Sequence, residues 1–126
     1  MLEIIILTII LVSIGVCGQL IIKNGMNQVG EIHLQFSNIT DSFWEIVRIF
    51  QEPKVWIGLT LSGIAAIFWL IILSKANLSF AYPLAGGIFY IALMATSWLW
   101  LGEKITFFQL AGTIIIMVGI VAITHK

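Results

Sequence analysis

The chain has 126 residues, 60% of them hydrophobic and only 10% charged, with a mean hydropathy of +1.11 and no net charge. Soluble domains carry about 25% charged residues and ~45–50% apolar ones. An ordinary globular enzyme, a disordered segment and a nucleic-acid binder with a basic patch are therefore excluded.

The charged residues are strongly segregated. They leave four uncharged windows, 4–22, 55–74, 76–102 and 105–124. A helix needs about 20 apolar residues to cross a hydrocarbon core of ~30 Å. The windows therefore predict an all-α integral membrane fold, a single domain over 1–126 with four transmembrane helices. The first window has no basic residue before it and is too long for the apolar part of a cleaved leader, so it reads as a span.

The first span is predicted at about 2–22, ending at Lys23-Asn24-Gly25. Ser13, Gly15 and Gly18 give it a small-residue stripe that lets another helix backbone approach. The lone Cys17 excludes an internal disulfide and reads as a small packing residue. Gln19 is the most polar residue within the span, and an amide in lipid is expected to face the bundle or a cavity.

The connection over 24–54 is polar, yet its second half is patterned. Ile39, Phe43, Ile46, Val47 and Phe50 share one helical face, and Asp41, Glu45, Arg48, Gln51 and Glu52 take the other. Ser42 and Glu45 fit a capping box, and Pro53 supplies a stop. A helix at about 41–52 is too short to span, so it is expected to lie in the membrane interface; the alternative is packing on other protein.

The second span is predicted at about 55–74, with Trp56 as an interfacial anchor and Gly58, Ser62 and Ala66 as a small-residue face. The third, at about 80–101, meets Pro83 and then Gly86-Gly87. Proline is tolerated in a first turn, but the glycines are expected to loosen the helix beside a cavity. Trp98 and Trp100 mark its far interface. The fourth span, at about 106–124, carries Gly112 and Gly119 seven apart, a spacing that predicts a helix–helix seam.

No catalytic or metal-ligating constellation is present, and no cofactor is expected. His33 and His125 lie far apart and read as solvated interface residues. No acidic residue lies inside a span, since Glu3 is in the first turn and Glu103 is in a loop. An intramembrane carboxylate is the usual means of binding cations and exchanging protons, so its absence argues against a proton-coupled cation exporter. The polar groups near the membrane are Gln19, Lys23, Asn24 and Tyr82. Gln19 and Lys23 are four apart on one helical face and suit a lipid phosphate at headgroup depth. The alternative for Lys23 is a lysine that only snorkels to the interface.

Ala81-Tyr-Pro-Leu84, then Leu101-Gly-Glu-Lys104, then Gln109-x-x-Gly112 and Gly119 resemble the closing half of an EamA-type domain of the drug/metabolite transporter superfamily. The resemblance extends over roughly 1–23 and 55–126. Its four-helix members include the small multidrug resistance proteins and the undecaprenyl phosphate–aminoarabinose flippase subunits. In the former, a first-helix glutamate lies three residues before a glycine and eight before a lysine. Gly15 stands at that place here, so their substrate- and proton-binding group is missing. Tyr82 matches that family's third-helix tyrosine, and Gly112 and Gly119 match its dimer seam, whereas Ala85 replaces its tryptophan. Gly18-Gln19-Leu20 with Lys23, and Ala81-Tyr82-Pro83, are more similar to the flippase subunits.

That resemblance implies a bacterial inner-membrane flippase for a polyprenyl-phosphate-linked sugar or similar anionic amphiphile, acting as a homodimer or heterodimer. The residues expected to carry it are Gln19 and Lys23 for the phosphate and Tyr82 for the headgroup. Pro83, Gly86 and Gly87 would form an irregular opening, and Gly112 and Gly119 the dimer seam. A cation exporter and a non-transport accessory subunit are the alternatives.

Overall fold

The computed structural model of the chain describes residues 2–34 and 37–125. Among the described residues every regular element is helical: α1 (Leu2–Val29), α2 (Ile39–Gln51), α3 (Pro53–Lys75), α4 (Leu78–Thr96) and α5 (Phe107–Thr124). A single π turn, Ser97–Leu101, prolongs α4. Four of these helices are long and apolar enough to cross a membrane, with α4 and its π turn counting as one.

Helix α1 passes straight through the expected stop at Lys23-Asn24-Gly25. Its 28 residues measure about 42 Å at ~1.5 Å per residue, so its last two turns extend beyond a hydrocarbon core of ~30 Å. Gly25 is buried against α3, where an added Cβ would stand 3.0 Å from Lys54 Cβ and 3.2 Å from Glu52 Cγ. It is thus a close-approach position within the helix. The stop is Gly30, whose φ of +87° favours glycine and whose N–H donates to Met26 O at 3.0 Å.

Helix α2 starts earlier than expected, at Ile39, so Ser42 lies inside it and no capping box forms there. Asn38 takes the N-cap position, the Ser42 hydroxyl donates to Asn38 O at 3.2 Å, and Glu45 instead accepts from Arg48 at 3.0 and 3.1 Å. Arg48 also donates to Val29 O at 2.8 Å, satisfying a terminal carbonyl of α1. No residue of α2 is buried, and Ile39, Phe43, Trp44, Ile46 and Phe50 are exposed. Its apolar face is therefore exposed in the single chain. Pro53 is the first residue of α3, where its missing N–H has no helical partner to lose. Phe50 packs on Trp56 with ring centroids 5.7 Å apart, and Trp56 Nε1 donates to Phe50 O at 2.8 Å, joining the two helices.

Helices α1 and α3 form the principal pair and run antiparallel. Glu3 pairs with Lys75 at one end, and Lys54 donates to Asn24 Oδ1 at 2.8 Å at the other. Their small residues meet between these ends. A Cβ on Gly18 would lie 2.9 Å from Gly58 O, and one on Gly58 would lie 2.7 Å from Gly18 O and 2.3 Å from Ile22 Cγ1. Of the two expected small-residue faces, Gly18, Gly58 and Ser62 engage, while Ser13 and Ala66 are exposed. Leu11, Val12, Val16 and Leu20 of α1 bury with Ile72 of α3 and Ala81 of α4 to make the core. Helix α4 closes over α1, where Phe89 covers Gly15, and α5 packs chiefly on α4, with Ile116 and Ile120 over Gly87.

Candidate functional site

The Gln19–Lys23 face of α1 lines an open pocket of about 380 Å³, within the ~300–1,000 Å³ usual for small-molecule sites. Its floor is apolar, from Leu20 of α1, Leu93 and Met94 of α4 and Leu101 of the π turn. Its polar groups come from four elements: Gln19 and Lys23, Tyr90 of α4, Ser97 of the π turn, and Glu103 and Gln109 around the start of α5.

Local structure sets each of these groups. The π turn ends on Gly102, whose φ of +66° reverses the chain. Glu103 then donates its N–H to Ser97 O at 3.3 Å, which brings its carboxylate back toward α1. Lys23 Nζ lies 3.8 Å from Glu103 Oε1, with both side chains about half exposed at 53% and 48%. Gln109 is held by a capping box with Thr106. Its amide oxygen accepts from Thr106 N at 2.8 Å, and its own N–H donates to Thr106 Oγ1 at 3.3 Å. Among the described residues the Gln19 amide and the Tyr90 hydroxyl make no side-chain hydrogen bond, so both can serve a ligand.

Leu20 and Leu101 also wall a second groove on their far side, about 510 Å³ and mainly apolar, lined further by Cys17, Ile21, Ile57 and Trp100. Its polar end is the Asn24–Lys54 pair. Cys17 is exposed to this groove instead of filling a core position.

The structure thus brings Gln19 and Lys23 together but places Tyr82 elsewhere. Tyr82 sits in the first turns of α4, near the Glu3–Lys75 end of the bundle, edge-on to Trp69 with centroids 4.9 Å apart. Eight residues of helix separate it from Tyr90, about 12 Å along the axis. Tyr90 is the α4 hydroxyl at the pocket.

The expected opening at Pro83, Gly86 and Gly87 is not part of this site. Helix α4 begins at Leu78, so Pro83 is its sixth residue, and the helix continues through it. Gly86 faces open space, and Gly87 is filled by Ile120, whose Cδ1 would lie 2.6 Å from an added Cβ. The irregular backbone beside the pocket is the π turn instead. Among the described residues, no other part of the chain comes within 4 Å of a Cβ added at Gly112 or Gly119, so both face open space in the single chain. The Thr-x-x-Gln capping signal at 106–109 marks where α5 starts, but no sequence signal places Tyr90, Ser97, Glu103 or Gln109 beside Lys23.

Four apolar spans, three of which line an open pocket with polar groups on an apolar floor, are the architecture of a small multi-pass membrane transporter. The chain belongs to the EamA-like transporter family, whose model matches residues 32–125. It is 28% identical over 109 residues to the probable 4-amino-4-deoxy-L-arabinose-phosphoundecaprenol flippase subunit ArnF of Proteus mirabilis. That match covers 86% of this chain and 81% of the relative, so it takes in Gln19 and Lys23 wherever it begins. No solved structure matches the chain.

Proposed function

We propose that this chain is a flippase subunit of a bacterial inner membrane that moves a polyprenyl-phosphate-linked sugar, or a similar anionic amphiphile, between leaflets. The observation that carries this reading is the open pocket in which Lys23 and Gln19 stand beside an apolar lining of Leu20, Leu93, Met94 and Leu101. Lys23 and the Gln19 amide receive the phosphate, Tyr90 and Gln109 contact the sugar, and the groove behind Leu20 and Leu101 offers hydrocarbon a path. The name of the ArnF relative supports the same class of cargo. A second small subunit, alike or different, completes the transporter by covering the outer flank of α5 at Gly112 and Gly119.

The alternative of a cation exporter is disfavoured by packing at Gly15. An acidic side chain there would have to displace Phe89, whose Cε2 stands 2.7 Å from the position of a Cβ.

Reconstitution in proteoliposomes with a fluorescent polyprenyl phosphate tests the proposal. Lys23→Ala removes a charge-assisted contact of at least ~1.5 kcal/mol, so lipid binding should weaken about tenfold. Lys23→Ala and Gln19→Ala that both bind and move lipid as the parent does would overturn the site. Faithful binding without lipid movement, by the chain alone or with a similar small partner, would favour an accessory role.

A further inference from the structure

The pocket already contains an anion of its own. We infer that Glu103 is an internal competitor for the anion seat: its carboxylate pairs with Lys23, and a lipid phosphate must displace it to bind. This rests on the assignment of Lys23 as the phosphate-binding group and adds a residue that sets affinity and selectivity.

Three observations lead there. The Lys23 ammonium and the Glu103 carboxylate are 3.8 Å apart at the rim of one pocket, on elements far apart in sequence. The carboxylate is delivered by fixed backbone, since Gly102 holds a left-handed φ of +66° and the Glu103 N–H is tied to Ser97 O at 3.3 Å. The contact itself is long, and both side chains are half exposed. A pair of that kind contributes little to the fold, about 1 kcal/mol at most, which corresponds to about a fivefold affinity. It is therefore weak enough for a ligand to break, yet it keeps the lysine side chain extended toward the pocket.

The chemistry of the exchange favours phosphate. A phosphate oxygen can also accept from the Gln19 amide, whereas the tethered carboxylate reaches Lys23 alone. A ligand carrying a single weak anionic contact gains too little to displace Glu103, so the pair selects for strongly hydrogen-bonded anions. When displaced, the Glu103 carboxylate remains beside the pocket and repels bound phosphate, which favours release.

The test measures binding of undecaprenyl phosphate, with the uncharged alcohol undecaprenol as comparison, to full-length protein in phosphatidylcholine nanodiscs. Helix content by circular dichroism confirms each variant is folded, and Glu103→Ala duplicates Glu103→Gln. Removing the competitor should tighten undecaprenyl phosphate binding by up to about fivefold and leave undecaprenol unchanged. The gain should vanish in Lys23→Gln/Glu103→Gln compared with Lys23→Gln. Unchanged or weaker phosphate binding by both Glu103 variants, an equal gain for undecaprenol, or a gain that persists without Lys23 would each overturn the inference. If instead Lys23→Gln binds as the parent does, the anion site itself is wrong, a result distinct from failure of Glu103 to compete.

Discussion

At the scale of single residues, the small side chains of α1 and α3 do the most constrained work. Gly58 lies beneath Ile22 and the Gly18 carbonyl, where a Cβ would be 2.3 and 2.7 Å from its neighbours. Backbone is one of those neighbours, so the crossing has to widen. Gly58→Ala should destabilise the protein by about 1–3 kcal/mol, read as a lower melting temperature in detergent. Gly63, on the same helix, has nothing within 4 Å of its Cβ position. Gly63→Ala should be neutral or stabilise by up to about 1 kcal/mol, because alanine loses less backbone freedom on forming helix. Both glycines belong to the same uncharged window, and only the neighbour across the contact separates them.

At the scale of elements, the turn from α4 to α5 decides the shape of the pocket. The π turn places Ser97 and Leu101 at the pocket, Gly102 reverses the chain, and the Thr106–Gln109 box starts α5. Gly102→Ala forces an L residue into a left-handed conformation at a cost of about 1–2 kcal/mol. It should lower the melting temperature, and weaken the Lys23–Glu103 pairing with it. Helix α2 makes a different prediction. Its exposed Phe43, Ile46 and Phe50 are expected in the lipid interface, with Asp41 and Gln51 toward water. Spin labels introduced singly at these positions, with Cys17→Ala as background, should show higher oxygen collision rates at 43, 46 and 50. Higher collision rates with a nickel chelate are expected at 41 and 51. A uniform aqueous profile would show that α2 stands off the membrane.

At the scale of the molecule, the four spans are unevenly packed. Helix α1 is the most buried, while α5 rests chiefly on α4 and exposes Ile115, Val118 and Val121. Among the described residues, Gly112 and Gly119 have no neighbour from another part of the chain at their Cβ positions, so substituting them costs the single chain little. Native mass spectrometry in detergent should therefore detect a dimer for the parent. Gly112→Leu/Gly119→Leu should shift it to monomer with helix content unchanged. A parent that is monomeric, or a variant that remains dimeric, would remove the seam from the assembly.

Much of this architecture was legible in one dimension. The exclusion of charge from four windows of about 20 residues dictates four spans, because a buried charge in lipid is too costly to be placed at random. The alternation of faces over 39–51 dictates an amphipathic helix for the same reason. Gln19 and Lys23 were readable as partners because both lie on one helix, where a spacing of four places them on one face. Tyr90, Ser97, Glu103 and Gln109 were not, because they reach that face only through the π turn, the left-handed Gly102 and the approach of α4 to α1. Tyr82 illustrates the converse, a polar residue at the right depth from a membrane edge but at the opposite end of the bundle. Glycines were the least readable of all: Gly25 packs where a stop was expected, Gly30 stops the helix, and Gly87 fills with Ile120 where a cavity was expected. A glycine's meaning lies in what stands opposite its missing Cβ, and that atom belongs to another helix. Solvent partition is local and additive along the chain, so it fixed the spans and the class of molecule. Pocket composition depends on contacts between distant segments, so only packing in three dimensions put an acidic loop residue beside the lysine that lines the pocket.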